Sequence, residues 1–332
     1  MTDRPSISVA LCTFNGEAFI RDQLNSIATQ SRLPDEVVVS DDHSSDGTVA
    51  IINAFCNTVP FPVRLHVNEK NLGSARNYEK AIQACQGDVI FFADQDDVWY
   101  PTKIETMAPL LLSGEISDFV FSDADIVNES LLPLGRHLWE SVPFSLKMQR
   151  RFMRGQAFDV LLHHNVVTGA TAAFASRWQS LFLPFPSGWY QDAWIALLLA
   201  AVGKVTLVPT PLIKYRQHSR QQLGMPAPAA LHRRASMAIR TAGRGHQERL
   251  CTLARMVSDV EQRLLTAKDC SLSPGVLSSL SAKKAHLQRR GNLPAARLLR
   301  VPMVLRELVN GNYRRYASGL LSAARDLLTD MS

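Results

Sequence analysis

The stretch FFADQDDVWYPTK, Phe91 to Lys103, sets an apolar run directly against three carboxylates in four positions: Asp94, Asp96 and Asp97. Asp suits turns because its side chain bonds nearby backbone, so a solvated loop after a strand is one reading. Charge argues for another. Like charges this close repel, and burial raises their pKa values. A divalent cation removes that penalty. Hard cations such as Mg2+ bind through one or two carboxylates and take further oxygens from substrate phosphates. The stretch therefore asks whether the rest of the chain provides a place for a metal and a phosphate.

Working outward, DVIFFAD reads as a strand, and three more precede it. ISVALC (Ile7 to Cys12) is a short apolar run bounded by polar residues, the pattern of a buried strand. Glu36 to Ser40 repeats it, and PVRLHVN follows. Between them lie helical patterns. Phe19, Ile20, Leu24 and Ile27 recur at helical spacing. SSDGTVAIINAF reads as a helix capped by Ser44, Ser45 or Asp46, and LGSARNYEKAIQAC as a third helix. Four strands alternating with three helices imply a parallel sheet. Such open sheets bind ligands beyond the carboxyl ends of their strands. Those ends carry Thr13-Phe14-Asn15, Asp41-Asp42 and Asp94-Gln95-Asp96-Asp97. Downstream, Asp118–Asn128 reads as a strand and Asn165–Ser176 as a β-rich run. An apolar helix starts near Ala193, and a strand lies around Val205.

The 332 residues carry a net charge of +6, unevenly spread. Residues 1–225 hold 18 Lys and Arg against 23 Asp and Glu, a net −5, while residues 226–332 hold 18 against 7, a net +11. We expect two regions: an α/β domain over 1–225 and a basic helical region over 226–332. The stretch MPAPAALHRRASMAIR opens the second. A basic region attracts an anionic partner, nucleic acid or a membrane surface. Five scattered cysteines without metal-ligand spacing point to reduced thiols in the cytoplasm. The start lacks a signal-peptide pattern. The longest apolar run, Ile195 to Val202, is short of the roughly 20 residues of a membrane span.

No GxGxxG follows the first strand and no P-loop sequence is present. A nucleotide can still bind by its base and ribose at the strand ends. Asp41 and Asp42 suit that role or a helix cap. Asp192 lies among Trp189, Tyr190 and Trp194. It either caps the helix near Ala193 or serves as a base, its pKa raised by aromatic neighbours that also stack on sugars.

Together, TFNGEAFIRDQLNSIATQ, VVVSDDHSSDGT and NLGSARNYEKAIQACQGDVIFFADQDDVWYPTKI resemble the family 2 glycosyltransferases with the GT-A fold. DQDDVW, TGATAAF, GWYQDAW and YRQHS look like the bacterial rhamnosyltransferase-type members. The resemblance spans roughly residues 5–224. It implies a mostly parallel mixed sheet flanked by helices and an inverting, metal-dependent transfer of a sugar from a nucleotide diphosphate. The sugar would be rhamnose from dTDP-rhamnose, or one carried by UDP or GDP. A glycan or lipid-linked acceptor of cell-surface polysaccharide synthesis, O-antigen or capsule, would receive it. Asp42 falls where the family contacts the base, and Phe14, after Thr13 and before Asn15, where an aromatic stacks on it. Asp94-Gln95-Asp96 matches the DXD motif, with Asp96 and Asp94 toward Mg2+ or Mn2+. Asp192 matches the catalytic base. His218 falls near the metal or diphosphate, and Arg76 reaches for the donor. Trp189, Tyr190 and Trp194 are expected at the acceptor.

Two rivals follow from the residues. A nucleotidyltransferase needs a basic, glycine-rich loop after the first strand, which TFNGEAF does not supply. A nucleic-acid-binding protein would interleave aromatics with its basic residues, and the tail has almost none besides Tyr313 and Tyr316. Basic amphipathic helices instead suit peripheral contact with an anionic membrane surface.

Overall fold

The computed structural model describes residues 5–112, 116–219, 221, 244–267 and 270–328. They fall into two compact units, one of residues 1–157 and 166–225, the other of 158–165 and 226–332.

The first unit is built on a nine-stranded mixed sheet. Strands β1 (Ile7–Thr13), β2 (Glu36–Asp41) and β4 (Val89–Asp94) are buried nearly throughout, whereas β3 (Val63–Val67) is half exposed, as befits an edge. These four are parallel in the order β3-β2-β1-β4. Their crossovers run through helices α1 (Ile20–Ala28), α2 (Thr48–Cys56) and α3 (Ser74–Ala84). The α3 face that packs inward carries Asn77, Tyr78, Ala81 and Ile82, a helical stripe. Beyond β4 the sheet turns mixed. β8 (Ala172–Ala175) runs antiparallel to β4 and to β6 (Phe119–Val127), and β9 (Val205–Arg216) runs parallel to β6. The short β5 (Val98–Trp99) closes on β9, and β7 (Pro133–His137) pairs with β6.

Register decides where the site forms. Thr13 pairs with Asp41, and Cys12 with Asp94. The ends of three adjacent strands therefore lie level along one edge. From Asp94 the chain turns through Gln95-Asp96-Asp97 into β5, then into α4 (Lys103–Leu112). Because β5 pairs with β9 (Val98 with Lys214), the acidic turn is held beside the end of β9.

Several local expectations shift. The β-rich run 165–176 yields only β8, preceded by a tight turn over Gly169–Thr171. The apolar helix starts at Gln191, not near Ala193. It buries nine residues from Gln191 to Ala201, which suits a helix apolar on nearly all sides. α2 begins after Gly47, and Asp46 accepts the Thr48 N–H at 3.0 Å from one residue earlier. Pro209 and Pro211 would break a regular strand; they sit where β9 shifts register against β6.

The second unit is helical where described: Arg244–Thr266, Val276–Gly291, Arg297–Val309, Asn312–Tyr316 and Leu320–Leu328. It also takes in residues 158–165, well before the composition change. Most of MPAPAALHRRASMAIR lies outside the described residues. Among the described residues no helix is long and apolar enough to cross a membrane.

Candidate active site

The level strand ends open onto a cavity of about 470 Å3. Thr13, Phe14 and Asp42 line one part of it; Asp94, Gln95 and Asp96 line its middle; Tyr190, Asp192 and His218 complete it.

Asp42 lies at the end of β2 and is 3% exposed. Its Oδ1 accepts the Leu72 N–H (2.8 Å) and the Asn68 Nδ2–H (3.0 Å), and its Oδ2 accepts the Gly73 N–H at 2.8 Å. The carboxylate is thus aimed by the NLG turn. Gly73 sits at φ 83°, in the left-handed region that favours glycine. Phe14 is 46% exposed, a flat face presented to the cavity. Its N–H donates to Gln95 Oε1 (2.8 Å) and its carbonyl accepts from Gln95 Nε2 (3.0 Å), so the two strand-end loops lock together. A Cβ on Gly16 would lie 2.2 Å from Gln95 Oε1, which explains the glycine there.

The acidic turn is crowded. Asp94 takes a hydrogen bond from the Tyr78 hydroxyl. Burial, then repulsion from Asp96, pushes its pKa up to about 6. Asp97 is fully buried, with its pKa raised by burial and by Asp96. Its Oδ1 accepts the Arg216 N–H at 3.1 Å, and its Oδ2 meets no hydrogen-bond partner among the described residues. Lys103 lies buried nearby, its pKa pushed down to about 7 by burial against the pull of Asp97. Its ammonium sits 3.8 Å over the Trp99 ring and donates to Ala170 O at 2.6 Å. Arg216 holds the turn from below. Its Nε donates to Asp96 O (2.7 Å) and one Nη to Asp22 on α1 (2.8 Å). Beyond it, His218 Nε2 lies 2.8 Å from Asp96 Oδ2.

Asp192 sits in the first turn of helix Gln191–Val202, where its Oδ1 accepts the Ala193 N–H at 2.7 Å. It is therefore not the N-cap, a place held by Tyr190. Gly169 packs against it: a Cβ there would stand 3.8 Å from the Asp192 Cβ.

Not every expected residue reaches the cavity. Trp189 and Trp194 are core: they pack on each other at 5.1 Å, and Trp194 donates to Phe182 O. Tyr190, by contrast, is 49% exposed. Arg76 turns to Glu79 (2.7 Å) one turn along α3. Asp41 is fully buried and accepts from Thr13 Oγ1 (2.7 Å), Ser44 N and Ser44 Oγ. Asn15 accepts the Ser45 N–H at 2.9 Å. Both build the walls and do not line the cavity. Among the residues not anticipated are Tyr78, Arg216, Asn71, Thr168, Gly169 and Tyr215. Tyr78 stood in the helical stripe of α3, and Arg216 in YRQHS; neither signal says which way a side chain points.

The sequence pattern described as Glycosyl transferase family 2 matches residues 8–173, half of the chain. The chain belongs to glycosyl transferase family 2. The match runs from β1 into β8 and so includes every cavity residue up to Gly169. Among curated relatives, an uncharacterized protein of Mycobacterium tuberculosis is 25% identical over 216 residues, 64% of this chain and 59% of that protein. The chain thus spans about three fifths of the length of that relative. The dTDP-rhamnosyl transferase RfbG of Shigella flexneri is 31% identical over 133 residues, 38% of this chain and 43% of RfbG. Among solved structures, S. aureus TarS in complex with UDP-GlcNAc superposes with a TM-score of 0.56 at 16% identity. The superposition covers 96% of this chain and 89% of that one, and at that identity it speaks for the fold alone.

The acidic turn fits a divalent cation of one kind. Among the described residues no three His, Cys, Asp or Glu side chains converge on one point. Two carboxylates facing a cavity, one of them with its pKa raised by crowding, suit a hard cation that completes its shell with phosphate oxygens and water.

Proposed function

We propose that this chain is an inverting, metal-dependent glycosyltransferase. It moves a sugar from a nucleotide diphosphate to a hydroxyl of a glycan or lipid-linked acceptor, in the synthesis of a cell-surface polysaccharide on the cytoplasmic face of the membrane. The observation that carries this reading is that Asp94, Asp96 and Asp192 face one cavity with Asp42 and Phe14. The partial likeness to RfbG supports dTDP-rhamnose as the donor.

Each residue then has a task. Phe14 stacks on the nucleobase, and Asp42, already aimed by three N–H donors, accepts from its edge. Asp96 and Asp94 would hold a divalent cation, and His218, whose Nε2 lies 2.8 Å from Asp96 Oδ2, orients Asp96. A divalent cation there supplies the positive charge that a leaving diphosphate needs. Asp192 takes the proton of the acceptor hydroxyl as its oxygen attacks the anomeric carbon. The new glycosidic C–O bond forms as the C–O bond to the diphosphate breaks. A single displacement inverts the anomeric centre. Tyr190 offers an exposed ring for the acceptor sugar.

The test is nucleotide diphosphate release from a panel of nucleotide sugars, with and without Mg2+ or Mn2+, for wild type and Asp96→Ala. Metal-dependent release of dTDP from dTDP-rhamnose, lost in the variant, supports the proposal. Release of UDP or GDP instead keeps the mechanism and overturns the sugar. Full activity of Asp96→Ala overturns the mechanism.

A further inference from the structure

Two helices of the C-terminal unit bury charged residues beside an apolar cluster and leave many of their leucines outside. Helix Arg297–Val309 turns Arg300, Val304 and Glu307 inward. Its outward face is aliphatic: Leu298 and Val309 are each 86% exposed, with Val301 and Leu305 between them. At about 100° per residue these four lie within one narrow stripe, directly opposite Arg300 and Glu307. Helix Leu320–Leu328 repeats the arrangement. Ser322, Ala323 and Asp326 face in, while Leu320 is 75% and Leu321 62% exposed.

The inward charges are fully engaged. Arg300 donates to the carbonyls of Pro294, Ala295 and Asp326. Glu307 meets His286 at 2.6 Å and Arg289 at 2.7 Å. Asp326 accepts from Arg290 Nε (2.6 Å) and the Tyr313 hydroxyl (2.6 Å). A helix in water places its apolar stripe inward and its charges outward. Here Val304 and Ala323 do face an apolar cluster, but the buried charges displace Leu298, Val301, Leu305 and Val309 to the outside of the first helix, a stripe suited to an apolar medium.

Charge selects which medium. Between Arg297 and Leu328 the only carboxylates are Glu307 and Asp326, and both are buried. Arg297, Arg306 and Arg314 are exposed. The aliphatic stripe is thus flanked on its own helix by Arg297 and Arg306, charges of one sign. Burying leucines at the acyl boundary while arginines meet anionic headgroups is how interfacial helices bind.

We propose that this face, centred on Leu298, Val301 and Leu305, docks on an anionic membrane surface. The contact depends on the acceptor reading above only for its purpose, which is to hold the enzyme where lipid-linked acceptors lie. The vesicle and transfer assays therefore fail separately.

The experiment is flotation of the full chain with phosphatidylcholine vesicles, with and without phosphatidylglycerol, at low and high salt. The wild type should float with the anionic vesicles and release them as salt rises. Leu298→Glu combined with Leu305→Glu should lower partitioning at least about tenfold, since each leucine leaves an apolar contact. Nucleotide-sugar binding should stay at the wild-type level. Arg306→Glu with Arg314→Glu is the second arm, should the first variant fold poorly by circular dichroism. Wild type that stays off anionic vesicles, or variants that float as well as wild type, overturn the proposal. A wild-type dimer that Leu298→Glu dissociates, without vesicle binding, overturns it as well and assigns the face to a second copy of the chain.

Discussion

In the sheet unit, Asp94, Asp96 and Asp97 crowd one turn; burial and mutual repulsion drive Asp94 to about 6, and an oxygen of Asp97 meets no hydrogen-bond partner among the described residues. In the helical unit, Asp326 is fully buried, yet His246, Arg290 and Tyr313 surround it. Burial pushes its pKa up too, but the hydrogen bonds of His246 and Arg290 outweigh that and hold it below the usual carboxylate range. The two sites use the same residue type and opposite electrostatics. A neutralised carboxylate holds a structure together. A crowded one costs stability.

The largest effects should separate these roles. Asp192→Asn should lower kcat/KM by roughly 10²–10⁴, the contribution of a positioned base, with an unchanged melting temperature. Equal activity would remove Asp192 as the base. Asp326→Ala should instead destabilise the helical unit by roughly 3–5 kcal/mol, because it strands Arg290 in the interior. Far-UV circular dichroism on denaturation measures this, and a loss below about 1 kcal/mol would contradict the pairing argument.

Asp94→Asn sharpens the contrast. It removes a carboxylate from a repulsive setting, so the metal-free protein should gain about 1 kcal/mol at pH 7 while losing metal-dependent activity. The pH dependences should have opposite sign. Asp94 keeps its proton to about 6 in the fold and to about 4 in the unfolded chain. Its favourable contribution is therefore present at low pH and lost as pH rises toward 6. Asp326, held low, contributes above about pH 4 and loses that as pH falls. Tryptophan fluorescence can follow the first, since all five tryptophans lie between Trp99 and Trp194. Helical circular dichroism follows the second. The smallest effect is expected at Arg76→Ala. Its side chain pairs with Glu79 outside the cavity, so donor affinity by calorimetry should change less than about twofold.

Much of the sheet was legible because buried parallel strands read as continuous apolar runs and their helices as stripes. DQDD could be placed at a strand end for the same reason. The tryptophans could not. Trp189, Tyr190 and Trp194 are neighbours in sequence, but helix Gln191–Val202 turns Trp194 into the core and leaves Tyr190 at the cavity. The clamp of Arg216 on the Asp96 carbonyl joins residues 120 positions apart, a separation that no local pattern reports.

By itself the sequence determined the alternation of strands and helices, the acidic strand ends and the charge contrast between the two regions. Each is a matter of period or composition, and both are local. The tertiary structure decided direction. Register made Thr13, Asp41 and Asp94 level, and packing turned Arg300 and Asp326 inward and the leucines of the last helices outward. A stripe at helical spacing says that one face is apolar; only the partners across the interface say whether that face is the inside.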